Sequence, residues 1–326
     1  MPEVTMAKAL NRALADSLRE DERVLVFGED VARLGGVFRI TEGLQAEFGS
    51  GRVFDTPLAE AAIAGASVGL CIAGWRPVSE MQFDGFSYPA LDQVISHIAK
   101  YRFRSRGRQG MPLVIRIPYA GGIGAAEHHS ESPETYYAHT AGLKGVVPSS
   151  PIDAYHLLRA SIADPDPVIF LEPKSRYWSK ESGDLQDGQT DVPLGLARIV
   201  RHGDDVTVIA YGAMVARSVQ AAEAAARNDV DVEVIDLRSL VPLDLNALSE
   251  SVRRTGRAVV VHEAPMTLGF GAEVAARLME DAFDHLEAPV IRVTGWDIPY
   301  PPATVENAYL PTIPRILDAI DRVVSY

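Results

Sequence analysis

Short apolar runs alternate along the chain with longer stretches in which apolar residues recur at helical spacing. Residues 6–19 read as an opening helix. The run VLVF at 24–27 reads as a buried strand that ends on Gly28-Glu29-Asp30. Residues 52–55 form a short strand, Thr56-Pro57 follows, and Glu60 opens a long apolar helix. Strands are expected at 77–83, 113–117 and 168–171, and a helix at 88–101. A Gly-rich loop, 120–124, follows the second of these strands. The second half repeats the alternation, with strands at 206–210, 232–235, 258–261 and 291–293 and an Ala-rich helix at 215–227. Buried strands alternating with helices predict parallel sheets covered on both faces. The expected fold class is therefore α/β, with two α/β domains and largely parallel sheets. The polar, Gly-containing stretch that starts at Ser179 separates them. The expected division is 1–178, a linker at 179–195, and 196–326.

Composition narrows the function classes. The chain has 326 residues, and 31 Lys and Arg against 44 Asp and Glu give a net charge of −13. Such a surface repels nucleic acid and anionic membrane and favours a basic protein partner. A single cysteine, Cys71, excludes an intrachain disulfide, a four-cysteine zinc site and an iron–sulfur cluster held by this chain alone. It suits a reducing cytoplasm. The N-terminal MPEVTMAKAL lacks the basic and apolar regions of a signal peptide. The longest apolar stretch, 61–75, falls short of the roughly 20 residues that span a bilayer.

Several residues carry candidate chemistry. Gly122-Ile123-Gly124 and Gly269-Phe270-Gly271 each offer half of a dinucleotide fingerprint, with Glu127 and Val274 at the third glycine position, which argues against a Rossmann site. His128-His129 sits on a loop that follows a strand, where catalytic groups concentrate; a hydrogen-bonded surface histidine is the bland alternative. Glu60 is a helix-start carboxylate favoured by the dipole, or a carboxyl in an apolar pocket with a raised pKa that shares a proton with a ligand. Gly65 and Gly69, with Ala61, Ala62, Ala66 and Ser67, give their helix a smooth face for close helix contact. Arg102, Arg104, Arg106 and Arg108 form a basic segment that is either solvated or meets an acidic or phosphorylated partner.

Taken together, Gly28-Glu29-Asp30, Gly35-Gly36-Val37-Phe38, Asp55-Thr56-Pro57-Leu58-Ala59-Glu60, Gln82-Phe83, His128-His129-Ser130 and Glu233-Val234-Ile235-Asp236-Leu237-Arg238 resemble the beta subunit of the thiamine-diphosphate-dependent decarboxylase of 2-oxo acid dehydrogenase complexes. The resemblance spans the whole chain. It implies a pyrimidine-binding domain followed by a transketolase C-terminal-like domain, and an α2β2 heterotetramer with thiamine diphosphate between α and β chains. It implies that Glu60 bonds a ring nitrogen of the aminopyrimidine and favours its imino tautomer. Leu58, Gln82 and Phe86 would neighbour the same ring, and Glu29 would line the site as a second acid. His129 would donate a proton as the acyl group passes to a lipoyl arm. Leu113, Val114, Ser161, Asp164 and Asp166 fall where some members hold a structural K⁺. The Gly-Asp-Gly and paired Asn by which this family usually holds Mg²⁺ and diphosphate are absent, so the resemblance implies that those ligands lie on the alpha subunit. The acidic charge suits a basic binding domain on the lipoyl-bearing acyltransferase. Gln82-Phe83 with Phe86, 171–174 and 297–301 look closer to branched-chain members than to pyruvate members, so branched-chain 2-oxo acids are the favoured substrates. Pyruvate is the alternative. A ferredoxin-linked oxidoreductase, a single-chain transketolase-like enzyme and a non-catalytic structural subunit are the competing classes.

Overall fold

Fully buried apolar runs become the central strands of two sheets in this computed structural model, which describes residues 3–183, 185 and 192–326. In the first sheet lie β2 (Val24–Gly28), β3 (Val53–Asp55), β4 (Arg76–Glu80), β5 (Val114–Tyr119), β6 (Lys144–Val146) and β7 (Val168–Pro173). A short antiparallel pair joins β1 (Glu3–Thr5) to β8 (Lys180–Ser182). The second sheet holds β9 (Arg198–Arg201), β10 (Val206–Ala210), β11 (Val232–Asp236), β13 (Ala258–Pro265) and β14 (Ile291–Gly295). One strand from the second half, β12 (Ser239–Val241), crosses to the first sheet.

The seven-stranded order is β12-β6-β7-β5-β4-β2-β3, parallel except for β12 against β6. The five-stranded order is β14-β13-β10-β11-β9, parallel except for β9. On one face of the first sheet the helices Met6–Glu20 and Pro151–Ala163 pack together through Leu10, Leu14, Leu157 and Leu158. Thr5 and Ser150 cap their N-termini, which satisfies otherwise unpaired N–H groups. On the other face the helix Glu60–Ile72 contributes Ile63, Ala64 and Cys71 to a core that continues through Tyr119 and Tyr211 into the second sheet. The two sheets therefore share one hydrophobic cluster.

Two expectations are corrected. Residues 88–101 are not one helix: the chain runs through a 3₁₀ segment, Gly85–Ala90, a short α turn, Leu91–Gln93, and a π turn, Val94–Ile98, before the helix Tyr101–Arg104. Pro89 lies inside this stretch and offers no N–H to a regular ladder. The segment 179–195 is not wholly a polar connector, because Lys180–Ser182 pairs with β1. Residues 184 and 186–191 of it lie outside the described residues.

Candidate active site

Four adjacent parallel strands, β3-β2-β4-β5, end at the same edge of the first sheet. Each is followed by a residue singled out in the sequence. Glu29 follows β2, Glu60 begins the helix after β3, Gln82 follows β4, and His129 lies on the loop after β5. Carboxyl ends of parallel strands are where α/β sheets gather ligand-binding groups. Tight turns make this possible. A Cβ on Gly28 would lie 2.7 Å from the Glu80 carbonyl, so only glycine lets β2 and β4 approach there. Asp55 ties the loop after β2 to β3 by accepting the Ala32 N–H at 2.7 Å.

Glu29 and Glu60 are both buried. Neither carboxylate oxygen of Glu29 has a hydrogen-bond partner, and among the described residues none bonds the Glu60 carboxylate. Unpartnered buried carboxyls are rare and call for an explanation. Burial, then the charges of Glu60, Asp30 and Glu80, pushes Glu29 up to about 7.

The sign of the linkage is definite. Below the ordinary value of 4.5 both folded and unfolded chains are protonated; above it only the folded chain keeps the proton. Stability is therefore lost as pH rises from 4.5 through about 7, by up to about 3 kcal/mol. Glu29→Gln removes that dependence. The variant beta chain is expected to melt above wild type at pH 8 and no higher at pH 5, and a pH-independent difference in thermal melts would refute it.

Gln82 donates to Asp30 Oδ2 at 3.1 Å, so its amide is held across from Glu29's neighbour. The His129 ring stacks on Phe83 with centroids 3.8 Å apart and meets Phe86 edge-on at 5.0 Å. Its Nδ1 faces the His128 carbonyl at 3.0 Å. Burial lowers its pKa, aided by His128 and opposed by that carbonyl, which keeps more of the ring neutral at pH 7 than in free histidine. Leu58 is 74% exposed, so this chain does not cover it. Sequence reasoning had not placed Phe83 or Glu80 in the site; the alternation of aromatic and polar residues around Gln82 was the available signal.

The potassium candidates lie elsewhere. Leu113 and Val114 stand at the start of β5, and Ser161, Asp164 and Asp166 precede β7, at the opposite edge of the sheet. Asp164 accepts Lys144 Nζ at 2.8 and 2.6 Å. Asp166 pairs with Arg102, and Ser161 Oγ donates to the Leu157 carbonyl at 2.7 Å. Among the described residues no group of three or more His, Cys, Asp or Glu is placed to hold a metal.

Residues 2–179 match the family described as transketolase, pyrimidine binding domain, and residues 195–316 match transketolase, C-terminal domain. The chain is 57% identical over 322 residues to the 3-methyl-2-oxobutanoate dehydrogenase subunit beta of Mycobacterium tuberculosis, covering 98% of this chain and 92% of that one. It is 53% identical over 321 residues to the pyruvate dehydrogenase E1 component subunit beta of Leifsonia xyli, covering 98% and 95%. The chain belongs to the beta subunits of 2-oxo acid dehydrogenases. The fold agrees at greater distance: a split-gene transketolase, described as an inactive beta4 tetramer, superposes with a TM-score of 0.82 at 21% identity over 99% of this chain and 98% of that one. A beta subunit of this family implies thiamine diphosphate as cofactor and an alpha subunit as partner. Among the described residues no helix is long and apolar enough to cross a membrane.

Proposed function

We propose that this beta subunit supplies the aminopyrimidine half of a thiamine-diphosphate site that decarboxylates branched-chain 2-oxo acids and passes the acyl group to a lipoyl arm. The observation that carries it is the buried, unpartnered Glu29 carboxyl beside the buried Glu60 at the neighbouring strand end, close to Gln82, Phe86 and His129. A buried acid pair with one member near 7 fits a basic heterocycle that shares a proton with it. When bound, thiamine diphosphate supplies the acidic carbon and the electron sink that the reaction needs.

The chain's own residues do the rest. Glu60 holds a proton at its carboxyl opposite a ring nitrogen. Glu29 keeps a second proton in the site near neutrality. Phe86 presents an aromatic face, Gln82 orients polar groups, and Leu58 closes the site against a partner surface. His129, held in its aromatic frame, gives a proton to the sulfur released when the lipoyl disulfide opens and its other sulfur takes up the acyl group. Mg²⁺ and the diphosphate belong on the alpha subunit in an α2β2 assembly. The helix Glu60–Ile72 leaves Ala61, Ala62, Ala66, Gly69 and Ile72 exposed, an apolar face suited to burial against another subunit. The acidic charge suits a basic binding domain of the acyltransferase core. The two domains are read as 1–178 and 196–326, and the enzyme as cytoplasmic. At the potassium candidates, Lys144 and Arg102 already neutralise Asp164 and Asp166.

Similar identity to relatives named for 3-methyl-2-oxobutanoate and for pyruvate keeps pyruvate as the second reading. The test mixes this chain with its cognate alpha chain, thiamine diphosphate, Mg²⁺ and a dye acceptor, and compares 3-methyl-2-oxobutanoate with pyruvate. Turnover only in the mixture, with a higher kcat/KM for the branched acid, is expected. Pyruvate preference replaces the substrate; turnover by the isolated chain refutes the shared site.

A further inference from the structure

The loop that carries His129 is tied off at its base, where the Ala120 N–H donates to the Glu131 carbonyl at 2.8 Å. Asp84 stands across that base with its side chain fully buried. Its Oδ2 accepts the Glu131 N–H at 2.7 Å, and its Oδ1 accepts Lys174 Nζ at 2.5 Å. Lys174 is equally buried and also reaches the Pro118 carbonyl at 3.4 Å, at the end of β5. Beside Asp84, Gly85 packs flat beneath the loop, and a Cβ there would lie 2.4 Å from the His128 carbonyl. The flanking Phe83 and Phe86 hold the His129 ring. Residues 83–86 thus grip both the backbone of the loop and the imidazole it presents.

A buried ion pair adds little net stability over an apolar pair of the same shape. What the charges supply here is direction: a carboxylate with one oxygen committed to an ammonium offers the other at a fixed angle to one N–H. We propose that Asp84, fixed by Lys174, is a positioning residue for His129, its bond to the Glu131 N–H setting where the imidazole meets the incoming lipoyl group. The proposal rests on the reading of His129 as the group that serves acyl transfer. It assigns Asp84 no contact with substrate.

The test uses the assembled enzyme and two rates: dye-linked decarboxylation of 3-methyl-2-oxobutanoate, and reductive acylation of a free lipoyl domain. Single substitutions leave a buried charge unpaired and endanger folding, so two charge-free pairs are compared. Asp84→Asn with Lys174→Met keeps an oxygen for the Glu131 N–H; Asp84→Ala with Lys174→Met does not. The Ala pair is expected to lose about 100-fold in kcat for acylation, with KM for the lipoyl domain and the dye-linked rate within about threefold, as an ångström-scale misplacement does. The Asn pair is expected to stay close to wild type in both rates. Amide hydrogen exchange over 120–131 should rise in the Ala pair alone. Equal acylation rates in the two pairs overturn the proposal, as does a parallel loss of the dye-linked rate. Should His129→Ala leave acylation unchanged, the reading of His129 fails, and exchange over 120–131 alone decides whether Asp84 holds the loop.

Discussion

Glu60→Gln is expected to lower kcat of the assembled enzyme at least about 100-fold, the scale of lost general acid–base catalysis. The structure separates this from a helix-start effect. Glu60 is the first residue of the helix Glu60–Ile72, and its N-cap, Ala59, makes no side-chain bond. A carboxylate there interacts favourably with the helix dipole, worth up to about 2 kcal/mol even when partly buried. A 100-fold rate loss corresponds to about 2.7 kcal/mol in the barrier. Glutamine keeps the shape and an amide that hydrogen-bonds a ring nitrogen, but it cannot hold or release a proton. The variant should therefore melt within a few degrees of wild type and still assemble with the alpha chain. kcat and kcat/KM should fall together, since the lost interaction matters only at the barrier. A melt lowered by several degrees with kcat reduced less than about tenfold would leave Glu60 as a helix-start residue and nothing more.

Much of this site was legible before the fold was known, because it sits on strand ends marked by breaks in the apolar pattern. The run VLVF stops at Gly28, and Glu29 follows; the short strand before Thr56-Pro57 delivers Glu60. What a linear pattern does not encode is which strand lies beside which. The parallel neighbours β3, β2 and β4 bring Glu29 and Glu60 into electrostatic contact. The strands that escaped notice are short or polar. Lys144–Val146 and Ser239–Val241 have too few residues to show a period, and β9 is charged at both ends. Together β6 and β12 extend the first sheet with a strand drawn from the second half of the chain. Sequence alone does not show that β12 crosses to the first sheet. The helix expected at 88–101 is replaced by short 3₁₀, α and π turns, whose apolar spacing is too close to that of a regular helix to be told apart in sequence.

Arg116→Met is expected to destabilise the beta chain by about 3–5 kcal/mol, a large fraction of a typical domain's total stability. Arg116 interrupts the apolar run of β5 and is completely buried. Its Nε and Nη2 donate to the two oxygens of Glu172 at 2.7 and 2.9 Å, and its Nη1 donates to Glu80 Oε2 at 2.7 Å. Tyr177 Oη adds a bond to Glu172 Oε2 at 2.7 Å. One guanidinium thus ties β5 to both neighbours, β4 and β7, and its planar fork fits the bidentate carboxylate. Burial drives Glu80 above the usual carboxylate range, while Arg116 opposes that rise. Removing the cation therefore leaves two buried acids to neutralise or desolvate at once. Arg116→Lys keeps the charge but supplies one point of contact in place of a fork, so it should fall between wild type and Met. Combining Arg116→Met with Glu80→Gln and Glu172→Gln removes every stranded charge and should recover part of the loss. The comparison is made by urea midpoint together with amide exchange on β4, β5 and β7. A Met variant that unfolds at the wild-type midpoint would show that apolar packing alone aligns the three strands. Loss confined to this network would show instead that the strand ends carrying Gln82 and the His129 loop are set by a polar lock inside the sheet.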